Sequence, residues 1–171
     1  MINRNLFILF ALLLTAILVG CEFTKKTVNN VNLFTLEDDI KLGKQVSDQI
    51  ASDPAQFPIL QERGNEQVYS YIRIITNKIL NSGKVVYRNN FAWEVKIIDD
   101  PETLNAFATP GGYIYVYTGL IKFLDSEDEL AGVMGHEIAH SDQRHSTKQM
   151  TKSGAIDLLL RFSHLLGRMS L

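Results

Sequence analysis

The stretch from Ser126 to His140, Ser-Glu-Asp-Glu-Leu-Ala-Gly-Val-Met-Gly-His-Glu-Ile-Ala-His, decides the fold of this chain. Ser126 followed three residues later by Glu129 is a capping box: the Ser oxygen accepts from the third amide while the Glu side chain reaches back. We expect the helix that opens there to run to about Lys148. Small and apolar residues fill positions 130–135, which predicts that the helix is buried.

Two histidines stand four positions apart in this helix, and Glu137 follows the first of them. An α-helix advances about 100° per residue, so His136 and His140 leave one face and can share a tetrahedral Zn²⁺. Glu137 lies on the adjacent side, where its carboxylate can take a proton from a water that attacks a peptide carbonyl. The alternative is a pair of ordinary surface histidines. We favour zinc because ionisable groups inside a buried helix need partners.

Further helices are predicted on both sides of this one along the chain. Thr35 followed by acidic residues is typical of a helix start, and Asp53-Pro54 of its end. A second helix is predicted to begin after Asn65 and to end at Asn81-Ser82-Gly83, because apolar residues recur between them at helical spacing. Another is predicted to begin within Gly154–Arg168. The recurring apolar residues of the second helix are Val68, Tyr71, Ile72, Ile75 and Ile79.

The period of the apolar residues changes after position 90. Alternation from Phe91 to Ile97 predicts a strand. The turn cluster Thr109-Pro110-Gly111-Gly112 predicts a hairpin between residues 104–108 and 113–118. Residues 120–124 are predicted to form a short helix. The expected fold class is therefore α+β, with helices packed on a small antiparallel sheet.

The first 20 residues are typical of a secretory signal peptide. Arg4 precedes an apolar stretch from Leu6 to Val19, which is shorter than the roughly 20 residues of a transmembrane helix. The following Gly20-Cys21 completes a Leu-Val-Gly-Cys sequence that resembles the bacterial lipobox, in which the Cys is acylated. The alternative is a free or buried cysteine beside an ordinary signal peptide. We expect lipidation of Cys21, and a polar tether over residues 21–33.

Composition limits the class of partner. The chain has 171 residues, of which 46% are hydrophobic, and this suits one globular domain. Its net charge of −2 lacks the basic footprint of a nucleic-acid-binding protein. Cys21 is the only cysteine, so no intrachain disulfide can form. The partners that we expect are polypeptide substrates and, through the lipid anchor, a membrane of the cell envelope.

Residues 33–168 resemble the HtpX/BepA/LoiP-like zinc metallopeptidases, a group that also includes the CAAX prenyl proteases. The resemblance rests on blocks that occur in the same order along the chain, and secreted lipoprotein members of the group fit the signal peptide. The blocks are Leu36–Val46, Asn105–Gly112, Tyr113–Leu120, Asp128–Gly135 leading into the histidine motif, and Arg144-His145.

The resemblance implies a zincin-like fold with a long zinc-binding helix, so that residues 34–171 form the N-terminal part of a metallopeptidase domain. It implies His136 and His140 as ligands of one Zn²⁺ per chain and Glu137 as the catalytic base. The implied activity is that of a zinc metalloendopeptidase that hydrolyses unfolded or misassembled cell-envelope proteins, on the periplasmic or exterior side of a membrane.

The resemblance also assigns an edge strand beside the zinc helix to Asn105 and Ala106. Such a strand can bind an extended substrate through its peptide groups. Arg144 either approaches the site or is a solvated charge. His145 should point about 140° away from His140 on a continuous helix, and we do not expect it to be a ligand.

The sequence departs from the group in its third zinc ligand. The group uses a Glu on a later helix, and no Glu follows Glu137 here. Asp142 points about 160° away from His140, and the spacing of Asp157 does not match the group. We expect a chain truncated at its C-terminus. The alternatives to a peptidase are therefore a non-catalytic chaperone-like or peptide-binding lipoprotein, or an inactive fragment.

Overall fold

The computed structural model describes residues 31–154. Four predictions concern residues outside this range. They are the signal peptide, the lipidation of Cys21, the possible role of Asp157, and the helix expected within Gly154–Arg168, of which only Gly154 is described. The chain divides into two compact units, Met1–Leu33 with Met150–Leu171, and Phe34–Gln149. In the described part of the first unit, the Leu33 amide donates to the Thr151 hydroxyl at 3.1 Å. No helix within residues 31–154 is long and apolar enough to cross a membrane.

The second unit begins with two helices that the sequence predicts. Helix α1, Leu36–Ser52, opens with Thr35, whose hydroxyl accepts from the Asp38 amide at 3.1 Å while the Asp38 carboxylate accepts from the Thr35 amide at 2.8 Å. Helix α2, Glu66–Leu80, buries Ile72 and Ile75 as expected. The side chain of its N-cap residue, Asn65, donates to the Gln61 carbonyl oxygen instead of capping the helix.

Three strands form one mixed sheet: β1, Glu94–Ile98; β2, Ala106–Thr109; and β3, Tyr113–Tyr117. Strands β2 and β3 are antiparallel and are joined by a 3₁₀ turn, Pro110–Gly112, so the predicted hairpin is confirmed. The prediction of an antiparallel sheet is wrong for β1 and β3, which pair in parallel.

The order of the strands, β1-β3-β2, explains this difference. Strand β3 lies in the centre of the sheet, and four of its five residues, Tyr113 through Val116, are buried, as is typical of a strand covered on both faces. Strand β2 is only partly buried and lies at the edge. The outer side of β1 is covered, since the Leu60 amide donates to the Ile97 carbonyl at 2.8 Å and the Asp99 amide to the Pro58 carbonyl at 2.7 Å.

Helices cover both faces of the sheet. On one face, α2 and the motif helix pack against Val95, Ile97, Ile114 and Val116. On the other face, Ile50 of α1 packs with Tyr113 and Tyr115. The alternation along β3 thus divides its side chains between two apolar clusters, and the observed architecture is the predicted α+β class. Of the three tyrosines of β3, Tyr113 and Tyr115 are buried in the core and Tyr117 is partly buried against it.

The motif helix, α4, spans Glu127–Asp142 and follows a short helix α3, Thr118–Phe123. At its start, the Ser126 hydroxyl accepts from the Glu129 amide at 3.3 Å, but the Glu129 carboxylate accepts from the Asp125 amide, one residue before the cap. The second hydrogen bond of the expected capping box is therefore made to the amide of Asp125 and not to that of Ser126.

Helix α4 ends earlier than predicted and is not buried all round. Arg144 has a φ of 56°, which interrupts the helix, and helical backbone resumes at residue 145. The Asp142 carboxylate accepts from the amides of Val86 and Tyr87 at 3.1 and 2.8 Å, so this end is held by a distant loop. Both motif histidines are exposed, in contrast to the expected burial of the whole helix.

Candidate metal centre

His136 and His140 converge on the exposed face of α4. Their Nε2 atoms are 2.9 Å apart and their ring planes meet at 74°. Two nitrogens that each lie 2.0–2.1 Å from a tetrahedral zinc ion are about 3.3 Å apart. The two rings therefore fit a shared zinc ion after a change of a few tenths of an ångström.

The chemistry of this pair also suits a cation. Two imidazole nitrogens that face each other at 2.9 Å need either a proton between them or a positive ion that both lone pairs can bind. Helix geometry alone brings them together, because residues four positions apart on an α-helix lie on one face. Both rings are open to solvent, so an ion can reach them from outside the unit.

Glu137 follows His136 on the same turn and is partly buried. One residue further on, Ile138 is buried in the core with only 1% of its surface exposed, which fixes the orientation of this turn. The carboxylate therefore lies between the buried stripe and the exposed pair of rings, about 100° around the axis from His136.

Within residues 31–154, no third His, Cys, Asp or Glu joins the pair in a group that could hold a metal ion. Asp142 was not expected to be a ligand, and its carboxylate is occupied by the two backbone amides named above. Asp157 lies outside the described residues.

His145 lies closer to the pair than the helical projection predicts. Its Nδ1 atom is 2.9 Å from Nδ1 of His140, and its Nε2 atom is 3.1 Å from Oε1 of Gln143. The projection of about 140° away from His140 was wrong because it assumed one continuous helix, whereas the backbone turns at Arg144. A third histidine so close to the motif was the available signal in the sequence.

Arg144 neither approaches the histidines nor is a solvated charge, so neither alternative for it holds. Its Nε atom pairs with Oδ2 of Asp39, a carboxylate that is 1% exposed. Its Nη2 atom donates to the carbonyl oxygens of Phe34 and Thr35 at 2.6 and 2.7 Å. Arg144 thus joins the end of α4 to the start of α1.

A second polar contact places α4 against the hairpin. The Ser141 hydroxyl donates to the Thr109 carbonyl at 3.0 Å and accepts from the Gly112 amide at 3.1 Å. On the other side of the same turn, a Cβ atom on Gly43 would lie 1.8 Å from the Pro110 carbonyl oxygen, so only glycine lets α1 approach so closely. Helix α4 and the hairpin that contains strand β2 therefore have a fixed relative position.

Within residues 31–154, no strand pairs with the outer edge of β2, so half of its peptide groups have no backbone partner there. The carbonyl of Asn105, an exposed residue, accepts from the Tyr117 amide at 3.1 Å. Because the pattern alternates along an antiparallel pair, the peptide groups of Phe107 also face β3, while those of Ala106 and Ala108 face the open side. Of the two residues expected to bind substrate, Ala106 turns its backbone amide and carbonyl away from β3. The carbonyl of Asn105 is instead already bonded to β3.

Comparison with known proteins identifies relatives that are peptidases. A family model described as Peptidase family M48 matches residues 66–170. The chain is 32% identical over 109 residues to the mitochondrial metalloendopeptidase OMA1 of Schizosaccharomyces pombe, covering 60% of this chain and 31% of that protein. It is 42% identical over 62 residues to the OMA1 protein of Arabidopsis thaliana, covering 36% and 13%.

A bacterial relative is the beta-barrel assembly-enhancing protease of Yersinia pestis, which is 34% identical over 80 residues, covering 47% of this chain and 16% of that protein. The chain therefore spans less than a third of the length of each of these three relatives.

Proposed function

Since the chain belongs to peptidase family M48, we propose that it is a zinc-dependent metalloendopeptidase with His136 and His140 as metal ligands and Glu137 as catalytic base. The observation that carries the proposal is the convergence of the two Nε2 atoms to 2.9 Å on an accessible helix face. This arrangement supports a zincin-like site, with one Zn²⁺ per chain.

The residues divide the work of peptide hydrolysis. Zinc, when bound, supplies a Lewis acid that makes water more acidic and polarises a carbonyl. The Glu137 carboxylate accepts a proton from the attacking water and then donates it to the leaving amine. His136 and His140 supply two of the three protein ligands that a catalytic zinc site usually has. We place the third ligand outside residues 31–154.

The substrate is proposed to bind to β2 as an additional strand. No described residue pairs with the outer edge of β2, whereas the outer side of β1 is covered by residues 58–60. The outward peptide groups of Ala106 and Ala108 can pair with any extended chain, whatever its side chains. Such binding favours unfolded segments over folded domains. Asn105 would contribute through its exposed side chain, since its carbonyl is bound within the sheet.

The proposed setting is the cell envelope. The signal peptide expected over residues 1–20 and the lipid expected on Cys21 would hold the peptidase domain, residues 34–171, at a membrane through the tether 21–33. One relative is named for a role in beta-barrel assembly. We therefore propose unfolded or misassembled envelope proteins as substrates, on the periplasmic or exterior side of the membrane.

The substitution Glu137→Gln tests the proposal. Removing the base should lower the rate of casein cleavage by about 10²- to 10⁴-fold, while the zinc content measured by atomic absorption stays that of wild type. Asp128→Asn, which removes an exposed carboxylate at the start of the same helix, is the matched control and should cleave as wild type does. Equal cleavage by Glu137→Gln and wild type would refute the assigned base. If the wild-type chain binds zinc but cleaves no casein, a peptide-binding role is favoured instead.

A further inference from the structure

Three imidazole rings lie in a row at the end of α4. His136 contacts His140 through the Nε2 atoms, and His140 contacts His145 through the Nδ1 atoms, both at 2.9 Å. The row ends at Gln143, whose Oε1 atom is 3.1 Å from Nε2 of His145. The ring planes of His140 and His145 meet at 77°.

With neutral rings, the acceptor at the end of this row determines the tautomers of His145 and His140. The Gln143 Oε1 atom can only accept, so Nε2 of His145 carries a hydrogen. In a neutral imidazole, Nδ1 of His145 then has the lone pair and accepts from His140. Nδ1 of His140 therefore carries a hydrogen, and its Nε2 atom keeps the lone pair that points toward His136. This is the tautomer in which His140 binds a metal ion.

We propose that His145 is a positioning residue that holds His140 in its metal-binding tautomer and orientation. The inference rests on the proposed zinc site. A histidine ligand in a metal site usually donates its second ring N–H to an acceptor, and that acceptor fixes both the tautomer and the plane of the ring. His145 supplies the acceptor from the same chain segment.

His145 does not complete the ligand set. It meets the His140 ring at Nδ1, whereas the His136 ring meets it at Nε2. These two atoms are on different sides of the imidazole, so His145 stands behind His140 as seen from the proposed ion.

The break in the helix makes this contact possible. On a continuous helix, His145 would point about 140° away from His140. Arg144 instead adopts a φ of 56°, and its guanidinium is held by Asp39 and by the carbonyls of Phe34 and Thr35. The anchored arginine thus turns the following residue back toward the motif.

Zinc affinity of the full chain tests the inference without any measurement of cleavage. His145→Leu removes the acceptor and replaces it with an apolar side chain of similar size. We expect this variant to bind zinc about 10- to 100-fold more weakly than wild type in competition with a chromophoric chelator. His145→Asn places a carbonyl oxygen near the position of Nδ1 and should recover most of the affinity. Ser146→Ala, at the next exposed position, is the matched control and should bind as wild type does.

Cobalt supplies a second readout. The visible absorption of bound Co²⁺ reports the ligand geometry, and we expect a changed spectrum in His145→Leu and a wild-type spectrum in His145→Asn. If His145→Leu binds zinc as tightly as wild type, or if His145→Asn binds as weakly as His145→Leu, this inference is overturned and the zinc site stands. If wild type binds no zinc, both proposals fall.

Discussion

The two faces of α4 have opposite tasks. One face places Leu130, Met134 and Ile138 in the core, where each is at most 3% exposed. The other face presents His136 and His140 to solvent. The difference shows that the proposed metal ligands are not the residues that hold the fold together. The helix is kept in place by its apolar stripe and by polar contacts at its end, and the two histidines take no part in the core.

The largest effect on stability is expected at the polar end of α4. Arg144→Met leaves the Asp39 carboxylate buried without its cation, and breaking such a pair should lower the free energy of unfolding by about 3–5 kcal/mol in urea titrations of the metal-free protein. Arg73→Met breaks the exposed pair with Glu62 and is the matched control, with an expected loss of no more than about 1 kcal/mol. Equal losses in the two variants would mean that Arg144 acts as an ordinary surface charge.

The next effect compares the two faces directly. Met134→Ala creates a cavity at a fully buried position and should lower the free energy of unfolding by about 2–5 kcal/mol. His136→Ala, half a turn further along the same helix, should change it by no more than about 0.5 kcal/mol in the metal-free protein. With zinc present, only the second variant should lose the stabilisation that the ion gives to wild type. A large loss in metal-free His136→Ala would remove the distinction between the faces.

The smallest effect concerns an exposed contact at the start of α1. Hydrogen bonds from the Thr35 amide and hydroxyl lower the pKa of Asp38 below its ordinary value of 3.8. The stabilisation from this carboxylate is therefore present above the pKa of the unfolded chain and is lost as the pH falls through the folded pKa. The urea midpoint should fall between about pH 5 and about pH 3 by less in Asp38→Asn than in wild type. Parallel pH profiles for the two proteins would contradict the assignment.

Features with local causes could be predicted from the sequence. The starts of α1 and α4 follow from Thr35 and Ser126, whose partners lie three residues away. The convergence of His136 and His140 follows from the pitch of one helix turn. The hairpin between β2 and β3 also has a local cause, since it follows from the turn residues that join the two strands.

Features with distant causes could not be predicted. The end of α4 depends on amides of Val86 and Tyr87, which are 56 and 55 positions away from Asp142 along the chain. The contact of Arg144 with Asp39 spans 105 positions. A projection that ignores these contacts assumes one continuous helix and therefore places His145 away from the motif. The parallel pairing of β1 with β3 is likewise set by which strand occupies the centre of the sheet.

The open side of β2 also bears on how the molecules behave toward one another. An unpaired sheet edge is a template on which identical chains can associate and aggregate. Strand β2 has only four residues and turns the peptide units of Ala106 and Ala108 outward, which allows about four hydrogen bonds with a neighbour. Each contributes only about 0.5–1.5 kcal/mol net, so a second molecule docked there by backbone contacts alone would leave again quickly. The brevity of this strand therefore weakens the association of two molecules through their sheet edges.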